Sequence, residues 1–439
     1  MKYLSIEKEL FILNRNRFTA ILEPKSIAIF NSNDIMPTNA DGTMPFRQNN
    51  DLFYLSGIDQ EESILVIFPE AINPNFREIL FVKETNEEIA IWEGAKLDKE
   101  SAYRTSGIKS VFWLNQFNTI FNSLMAEAEN IYLNSNEHTR AVVEVQTRDQ
   151  RFIETCKQNY PLHNFRRSAP LMKKLRQIKS KYEIDLMQRA CNITEAGFRR
   201  LLTFVKPGVM EYEIEAELIH EFVRNRSRGF AYTPIIASGF NACVLHYIEN
   251  NQQCKSGDVI LLDVGAEYAN YASDMTRCLP VSGKFTVRQK EVYNAVLSVM
   301  KSAIKLLVPG NNLVDYHKTV GHLMEEELIK LGLLNASEVA NQNPEKPLYK
   351  KYFMHGTSHL IGLDVHDIGE PNLIFQTGMV FTCEPGIYIR EENLGIRLEN
   401  DILITEKGPF DLMANIPIEA DEIEQIMSAA ISKMHELSE

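Results

Sequence analysis

The segment HGTSHLIGLDVHD, residues 355–367, contains three histidines, His355, His359 and His366. Imidazole nitrogens bind metals and transfer protons near neutral pH, so the segment is a candidate for either chemistry. A single histidine beside apolar residues is more often a hydrogen-bonded core residue than a ligand. A metal site would require partners elsewhere in the chain, because metal ligands usually come from distant parts of a sequence.

Four carboxylates occur at matching places in two parts of the chain. Asp263 lies six residues after a glycine in GDVILLDVG, and Glu384 lies six residues after a glycine in GMVFTCEPG. Asp274 and Glu399 each open a further segment, DMTRCLPVSG and ENDILITEKG, that reaches glycine nine residues later. The repetition predicts two hairpins with two acidic residues each.

The elements that must position these residues repeat as well. FVKPGVMEYEIEAELIHEFVR, residues 204–224, resembles LLVPGNNLVDYHKTVGHLMEE, residues 306–326. Each segment has a helical approach, a Pro-Gly turn and then an amphipathic helix. We therefore predict two copies of one helix-plus-hairpin unit.

The carboxylates favour a metal site over a solvated strand end. Asp263 and Glu384 interrupt apolar runs, VILLDV and VFTCEP, where a carboxylate would be at least partly buried. An unpaired buried carboxylate costs several kcal/mol or becomes protonated. Two divalent cations would balance the four negative charges almost one for one.

The chain divides into two expected domains, residues 1–170 and 171–439. Strand-like runs such as SIAIFNS and ESILVIFPE alternate with helix-compatible segments in the first 160 residues, which indicates an α/β domain with a mixed sheet. After a charged linker, Ser180 and Glu183 form a capping-box pattern that predicts the first helix of the second domain.

Composition excludes several classes of protein. The 439 residues are 44% hydrophobic and 24% charged, which is ordinary for a folded protein. The net charge of −13 argues against a nucleic-acid binder that works by bulk electrostatics, though not against a local basic patch. The amino terminus lacks the pattern of a secretory signal, and apolar runs are too short to span a bilayer. Six scattered cysteines without CxxC spacing favour reduced thiols in a cytoplasmic protein.

Five motifs, in order, carry a resemblance to a known family: LLDVG, SDMTR, HGTSH with GLDVHD, EPG, and GIRLEND. Together they resemble the Xaa-Pro aminopeptidases (aminopeptidase P) and the proline dipeptidases, which are pita-bread metallopeptidases. The resemblance implies an α+β fold with a pita-bread catalytic domain. NNDLFYLSGIDQEESILVIFP in the first domain is similar to the amino-terminal domain of the same branch, which is smaller and α/β.

The resemblance implies two divalent metal ions. Asp263 would hold one ion, His359 and Glu384 the other, and Asp274 and Glu399 would bridge both. All five positions carry the family residue. Oxygen-rich sites with one imidazole favour manganese, while zinc, cobalt and iron remain open.

Three histidines match family positions near the substrate, and an arginine lies two residues before Glu399. His246, His355 and His366 are implied as catalytic groups, and the alternative is that they only orient the ligands. Arg397 either pairs with Asp263 or meets the substrate. In the implied reaction, a water activated at the metal centre attacks the carbonyl before proline.

Two aromatic residues also match family positions. Tyr232 would line the substrate site, with core packing as its alternative, and Trp92 would cap the active site of a neighbouring subunit. A tryptophan buried in its own domain is the simpler alternative for Trp92. The resemblance implies a homodimer or homotetramer. Three other histidines lie on charged helical stretches and are expected on the surface: His220, His317 and His322.

The implied activity is removal of one residue from the amino terminus of peptides with proline second. The alternative is a proline dipeptidase, which must hold a free carboxylate with a positioned arginine. Only IYIREENL separates the EPG and GIR motifs, and its one cation, Arg390, is followed by Glu391 and Glu392, which we expect to oppose an anion. Two functions of different classes also fit the fold: a metal-free interaction protein and a hydrolase of a non-peptide bond.

Overall fold

The computed structural model describes residues 2–370 and 372–436, with side chains up to residue 430. The chain forms two compact units that divide between Arg176 and Gln177. Within the described residues, no helix is both long enough and apolar enough to cross a membrane.

The first unit combines seven helices with a six-stranded sheet among the described residues. The helices are α1 Lys8–Thr19, α2 Asn50–Ser56, α3 Glu87–Glu93, α4 Lys99–Ser106, α5 Phe117–Met125, α6 Arg148–Asn159 and α7 Ala169–Arg176. The strands are β1 Ser26–Asn31, β2 Ile64–Ile67, β3 Glu78–Val82, β4 Ser110–Trp113, β5 Asn130–Leu133 and β6 Asn164–Arg167.

The sheet of the first unit is mixed, as predicted, with the order β4-β3-β2-β1-β5-β6. Strand β2 is antiparallel to both β1 and β3, whereas β4 runs parallel to β3 and β5 runs parallel to β1. Strands β1, β3, β4 and β5 therefore point the same way, and their carboxyl ends share one edge of the sheet. Their apolar runs are buried because helices cover the faces of a sheet of this kind.

The second unit contains the two predicted repeats. Its helices are α8 Lys181–Phe204, α9 Glu211–Arg224, α10 Val287–Ile304, α11 Leu313–Lys330, α12 Ala336–Ala340 and α13 Ala420–Glu436. Its strands are β7 Ile235–Ser238, β8 Val259–Val264, β9 Glu267–Tyr268, β10 Tyr271–Ala272, β11 Met275–Pro280, β12 Val380–Cys383, β13 Gly386–Ile389, β14 Leu394–Arg397, β15 Asn400–Thr405 and β16 Gly408–Asp411.

The two copies share local geometry as well as order. Helices α8 and α9 lead to the antiparallel pair β8 and β11, and helices α10 and α11 lead to the antiparallel pair β12 and β15. Gly257 and Gly378 open β8 and β12 with the same φ of 91°, a left-handed conformation that favours glycine. A bridge between Thr276 and Glu399 joins the two hairpins. The predicted duplication is confirmed.

The predicted start of the second unit's first helix is also confirmed. The Ser180 backbone N–H donates to the Glu183 carboxylate over 2.8 Å, and the Glu183 backbone N–H donates back to Ser180 Oγ over 3.5 Å. This reciprocal pair satisfies two N–H groups that the helix cannot satisfy itself.

A buried acid lies at the start of α6 in the first unit. Asp149 accepts a hydrogen bond of 2.9 Å from the Asn31 side chain. Burial, opposed by that hydrogen bond and assisted by the negative charge of Asp51, raises the pKa of Asp149 to about 7. The unfolded chain has its aspartate pKa near ~4. The folded state therefore binds an extra proton between these two pH values.

We expect Asp149→Asn to remove a pH dependence of stability. A raised folded pKa contributes stability that is complete below about pH 4 and is lost as pH rises through about 7, on the order of a few kcal/mol. Asparagine keeps the acceptor for Asn31 and cannot ionise. Thermal unfolding between pH 5 and 8 should show the wild type losing stability relative to the variant; parallel curves would contradict the expectation.

Candidate metal centre

Four carboxylates meet where the two hairpins approach each other. Asp263 lies in β8 opposite Thr276, and Asp274 immediately precedes β11. Glu384 directly follows β12, and Glu399 immediately precedes β15. Each hairpin thus supplies one acid near the end of its first strand and one just before its second, so the duplication itself brings the negative charges together.

His359 joins this carboxylate cluster. Ligand atoms of Asp274, His359 and Glu399 all lie within 4.8 Å of one another. The His359 Nε2 atom lies 3.5 Å from the Asp274 carboxylate and 3.8 Å from the Glu384 carboxylate. Asp274 and Glu399 are almost fully buried, at 5% and 2% exposed. An imidazole with oxygen donors at this spacing is a suitable set for a divalent transition metal.

The hydrogen bond of His359 Nδ1 leaves Nε2 available to bind a metal ion. Its Nδ1 donates to the Leu360 carbonyl oxygen over 3.0 Å, which directs Nε2 toward the carboxylates. Burial opposes the charging of this ring, but the hydrogen bond to Asp274 and the charge of Glu384 raise the pKa of His359 to about 9. The carboxylates therefore attract a positive charge at Nε2, the place where a metal ion would bind.

The carboxylates are strained by one another's charge. Burial, followed by repulsion from neighbouring acids, raises the pKa of Glu399 well above its usual range. Burial also raises the pKa of Asp263 and of Glu384, although Arg397 opposes both shifts. Divalent cations would offset this repulsion, so the donor set fits the metal ions that the sequence predicts.

Tyr232 faces the carboxylates. Its hydroxyl lies 2.7 Å from an Asp263 oxygen and 2.6 Å from an Asp274 oxygen. Because a hydroxyl has one proton, it can donate to only one of the two at a time. The hydroxyl of Tyr232 is thus part of the carboxylate cluster, as a role at the substrate site would require.

Arg397 is held by protein groups on all three guanidinium nitrogens. It donates to Asp263 over 2.5 Å, to the Tyr388 hydroxyl over 2.7 Å and to Thr276 Oγ1 over 3.1 Å. Thr276 in turn donates to Glu399 over 2.6 Å. Arg397 thus pairs with Asp263, which is the first of the two roles predicted for it.

His355 lies beside the cluster as a neutral ring. Its Nδ1 donates to the Gly356 carbonyl oxygen over 2.7 Å, and its Nε2 accepts from the Tyr388 hydroxyl over 2.8 Å. Nδ1 is also 3.6 Å from the Glu384 carboxylate. Burial and the nearby Arg397 lower the pKa of His355 to about 3, so the ring is uncharged at neutral pH.

His366 and His246 flank the centre differently. The rings of His366 and His359 meet edge to face, with centroids 4.3 Å apart. His246 is exposed, on a loop whose apolar neighbours Val244 and Ile248 are also exposed, at 40% and 53%. One histidine is thus packed against a candidate ligand, and the other faces solvent.

Arg390 stands apart from the carboxylates, in the short turn between β13 and β14. Its guanidinium lies 5.4 Å from the centre of the Phe240 ring, and no described carboxylate forms an ion pair with it. Glu392 forms two 2.9 Å hydrogen bonds with Arg288, and Glu391 lies 3.9 Å from Lys351. The negative charges of Glu391 and Glu392 are thus balanced by other cations. The two glutamates therefore repel an anion at Arg390 less than the sequence suggested.

Trp92, in the first unit, is 85% exposed on α3. The alternative of a tryptophan buried in its own domain is therefore wrong. His220 and His322 are exposed as predicted, with side chains 54% and 64% accessible. The expected surface position of His317 is wrong, because that side chain is half-buried and accepts a hydrogen bond from the Thr357 backbone N–H.

Several residues that organise the centre were missed in the sequence. Tyr388 joins His355 to Arg397, and buried Asp401 accepts from the Asp274 backbone N–H over 3.1 Å. Arg277, also fully buried, donates to the Glu399 carbonyl oxygen over 2.8 Å. Each of these residues had a clue in the sequence. Arg277 and Asp401 lie inside the motifs SDMTR and GIRLEND. Tyr388 carries a hydroxyl in an otherwise apolar, strand-like run.

Comparison with known proteins agrees with this geometry. Residues 185–406 match metallopeptidase family M24, and residues 11–132 match the aminopeptidase P amino-terminal domain. The Xaa-Pro aminopeptidase of Escherichia coli is 33% identical, over 97% of this chain and 99% of that protein. Human Xaa-Pro aminopeptidase 3 is 32% identical, over 91% of this chain and 79% of that protein.

Solved structures give the same result. Aminopeptidase PepP of Pseudomonas aeruginosa superposes with a TM-score of 0.88 at 30% identity and covers 98% of this chain and 99% of its own. Zinc-substituted E. coli aminopeptidase P in complex with product superposes with a TM-score of 0.86 at 32% identity, over 97% of this chain and 99% of its own. With its duplicated hairpins, its buried carboxylates and these full-length likenesses, the chain belongs to the pita-bread metallopeptidase family M24, in the aminopeptidase P branch.

Proposed function

We propose that this protein is an Xaa-Pro aminopeptidase, which releases the amino-terminal residue from peptides with proline in second position. The observation that carries the proposal is a largely buried cluster of Asp274, His359 and Glu399, with Asp263 and Glu384 beside it, in a chain that resembles Xaa-Pro aminopeptidases over nearly its whole length. This cluster favours a hydrolase over a metal-free interaction protein. The likeness of the whole chain favours peptides as substrates.

We propose that the centre holds two divalent ions, with Mn2+ as the native metal. Asp263 would serve one ion, His359 and Glu384 the other, and Asp274 and Glu399 would bridge them. Four carboxylates would balance the charge of two such ions, and a mainly oxygen donor set with one imidazole suits manganese. When bound, the ions would polarise the substrate carbonyl and lower the pKa of a water molecule.

The chain's own residues would bind substrate and move protons. Glu384 would accept a proton from the attacking water and pass it to the leaving proline nitrogen, since burial raises its pKa toward the working range of a general base. His246 and His366 would stabilise the oxyanion and the leaving group. His355 is neutral and is held by the Tyr388 hydroxyl, so we propose that it orients Glu384 without adding a positive charge to the site.

The remaining site residues would position these groups. Arg397 uses all three guanidinium nitrogens on protein groups, so we propose that it fixes Asp263 and contacts no substrate. The Tyr232 hydroxyl lies within hydrogen-bond distance of both Asp263 and Asp274, so we propose that it lines the part of the site where the peptide would bind. Both residues would act by holding the acids at fixed spacing.

His359→Ala and His366→Ala should separate metal binding from turnover. We expect the first variant to lose metal, because a ligand and its charge balance are removed. The second should keep its metal and lose most of its kcat, because the His366 ring packs against the proposed ligand His359 but is not itself a proposed ligand. Metal content by mass spectrometry and kcat on Ala-Pro-Ala, measured on both variants, decide this; equal metal loss would show that the assignment is wrong.

The preference for peptides longer than two residues rests on the turn between β13 and β14. A dipeptidase must bind the free carboxylate of proline, normally with a positioned arginine. This turn is short, and Arg390 is its one cation. The Arg390 guanidinium lies over the Phe240 ring, and no hydrogen bond among the described residues directs it toward the carboxylate cluster. We therefore favour the aminopeptidase over the dipeptidase alternative.

Comparing Ala-Pro with Ala-Pro-Ala under Mn2+ tests the proposed function. We expect kcat/KM to be higher for the tripeptide, on the order of tenfold, which corresponds to about 1.4 kcal/mol of transition-state binding. Ala-Ala-Ala serves as the control for the need for proline. A clear preference for the dipeptide would assign the protein as a proline dipeptidase, and cleavage of neither proline peptide would refute the proposal.

We propose that the first unit forms a homo-oligomer and caps a neighbouring active site. The carboxyl ends of β1, β3 and β5 share one sheet edge, and the connections leaving that edge expose apolar side chains. These residues are Ile35, Met36, Met44, Ile91, Trp92, Val142, Val143 and Val145. Exposed apolar side chains on connections that leave one edge are typical of a protein interface, which supports the proposed dimer or tetramer with Trp92 in the contact.

The location of the protein is proposed to be cytoplasmic. All six cysteines are buried free thiols, which suits a reducing compartment.

Trp92→Ala should weaken the assembly and the cleavage of longer peptides. The side chain is 85% exposed, so we expect thermal stability to change little while light scattering shows a lower mass at low micromolar concentration. Ile72→Ala, at an equally exposed apolar residue outside the three connections, is the matched control. A wild-type protein that is monomeric at its working concentration would remove this role from Trp92.

A further inference from the structure

His317 connects α11 to the segment that carries the site histidines. Its Nδ1 atom accepts a hydrogen bond of 3.2 Å from the Thr357 backbone N–H. The ring lies so close to Gly356 that a Cβ at that glycine would be 3.4 Å from the ring's Cε1 atom. His317 is thus packed directly beneath the main chain between His355 and His359.

That main chain is paired with the strand that ends at Glu384. The Glu384 backbone N–H donates to the Thr357 carbonyl oxygen over 2.8 Å, and the Thr382 backbone N–H donates to the His359 carbonyl oxygen over 2.9 Å. A displacement of Thr357 would therefore move the backbone of both His359 and Glu384.

The pairing of this segment with β12 and Glu384 does not include the Thr357 N–H, which donates to the His317 ring instead. Thr357 is 1% exposed, so solvent offers this N–H no alternative partner. Buried N–H groups in folded proteins are almost always hydrogen-bonded, and here the acceptor is the His317 ring. The bond thus ends the paired segment on the side of His355.

The ring has the protonation state that this bond needs. Burial, with a smaller contribution from the positive charge of Lys350, lowers the pKa of His317 to about 4. At neutral pH the ring is uncharged, and an Nδ1 atom that accepts a hydrogen bond places the ring proton on Nε2. Lys350 also donates to the His355 carbonyl oxygen over 3.5 Å, so it holds the same segment from its other end.

We propose that His317 is a positioning residue for the metal centre, which fixes Thr357 and through it the spacing of His359 and Glu384. The inference rests on the proposed metal centre. It assigns His317 no contact with substrate or with the reacting atoms, because its effect passes through the backbone of Thr357.

Two substitutions separate the hydrogen bond from the packing. His317→Phe keeps a ring of similar size and removes the acceptor, whereas His317→Asn places an amide oxygen near the position of Nδ1. We expect the phenylalanine variant to bind Mn2+ about tenfold more weakly, in competition with a chelator, and to lose about tenfold in kcat with little change in KM. The asparagine variant should recover most of both losses.

His322 supplies the matched control on the same helix. Its side chain is 64% exposed and pairs with Glu325, so His322→Phe and His322→Asn should leave Mn2+ affinity and kcat unchanged. Thermal unfolding of every variant shows whether each is folded at the assay temperature. His317→Leu, which also lacks an acceptor, replaces the phenylalanine variant if that variant does not fold.

Mn2+ affinity equal to that of the wild type in His317→Phe would overturn the proposal. Equal losses in the phenylalanine and asparagine variants would also overturn it, because packing and not the hydrogen bond would then be responsible. The readouts distinguish this proposal from the proposed function. A wild type that binds Mn2+ but cleaves no proline peptide refutes the substrate and leaves the affinity comparison valid, whereas a wild type that binds no Mn2+ refutes the metal centre itself.

Discussion

Repulsion among four carboxylates, two of them buried and two partly buried, is the constraint around which the second unit is organised. Asp263, Asp274, Glu384 and Glu399 are held close together by two hairpins, in a region where water screens their charges poorly. An isolated ionised acid in such a place is unstable, and four of them require compensation by fixed cations. Arg397 provides part of the positive charge, and the divalent ions proposed for the centre would provide the rest.

Hydrogen bonds through Tyr388 and Thr276 determine which groups in the cluster the positive charge of Arg397 reaches. Tyr388 accepts from Arg397 and donates to His355, so one hydroxyl links the guanidinium to the imidazole. Thr276 receives a hydrogen bond from the same guanidinium and donates to Glu399. Asp263 and Glu399 are therefore each held by hydrogen bonds from the protein, which fixes their positions in the cluster.

The sequence predicted most of the scaffold because the scaffold is repeated. Matching glycines and acids in two segments revealed both hairpins, and a local capping pattern located the start of α8 at Ser180. Contacts between elements far apart in the chain were less visible. Nothing in the pattern around His317 distinguishes it from His322 five residues later, since only the fold brings Thr357 against one of the two rings.

Similar limits apply to Trp92 and Glu392. Burial of Trp92 in its own domain was the simpler alternative from residue type, but exposure depends on what covers α3 and not on residue type alone. Glu392 looked like an obstacle to an anion at Arg390 because sequence proximity was the only information about its partner. Its bidentate contact with Arg288, 104 residues away in sequence, exists only in the folded chain.

The duplicated second unit contains two kinds of segment that can change independently: the hairpins and the connections that precede them. Equivalent connections precede the first strand of each hairpin: residues 225–258 carry His246, and residues 331–379 carry His355, His359 and His366. The hairpins are nearly symmetric and fix where negative charge accumulates, whereas the two connections differ in length and in the histidines they supply. Descendants of such a fold can therefore acquire new reactions by altering the connections while the charged hairpins remain a shared inheritance.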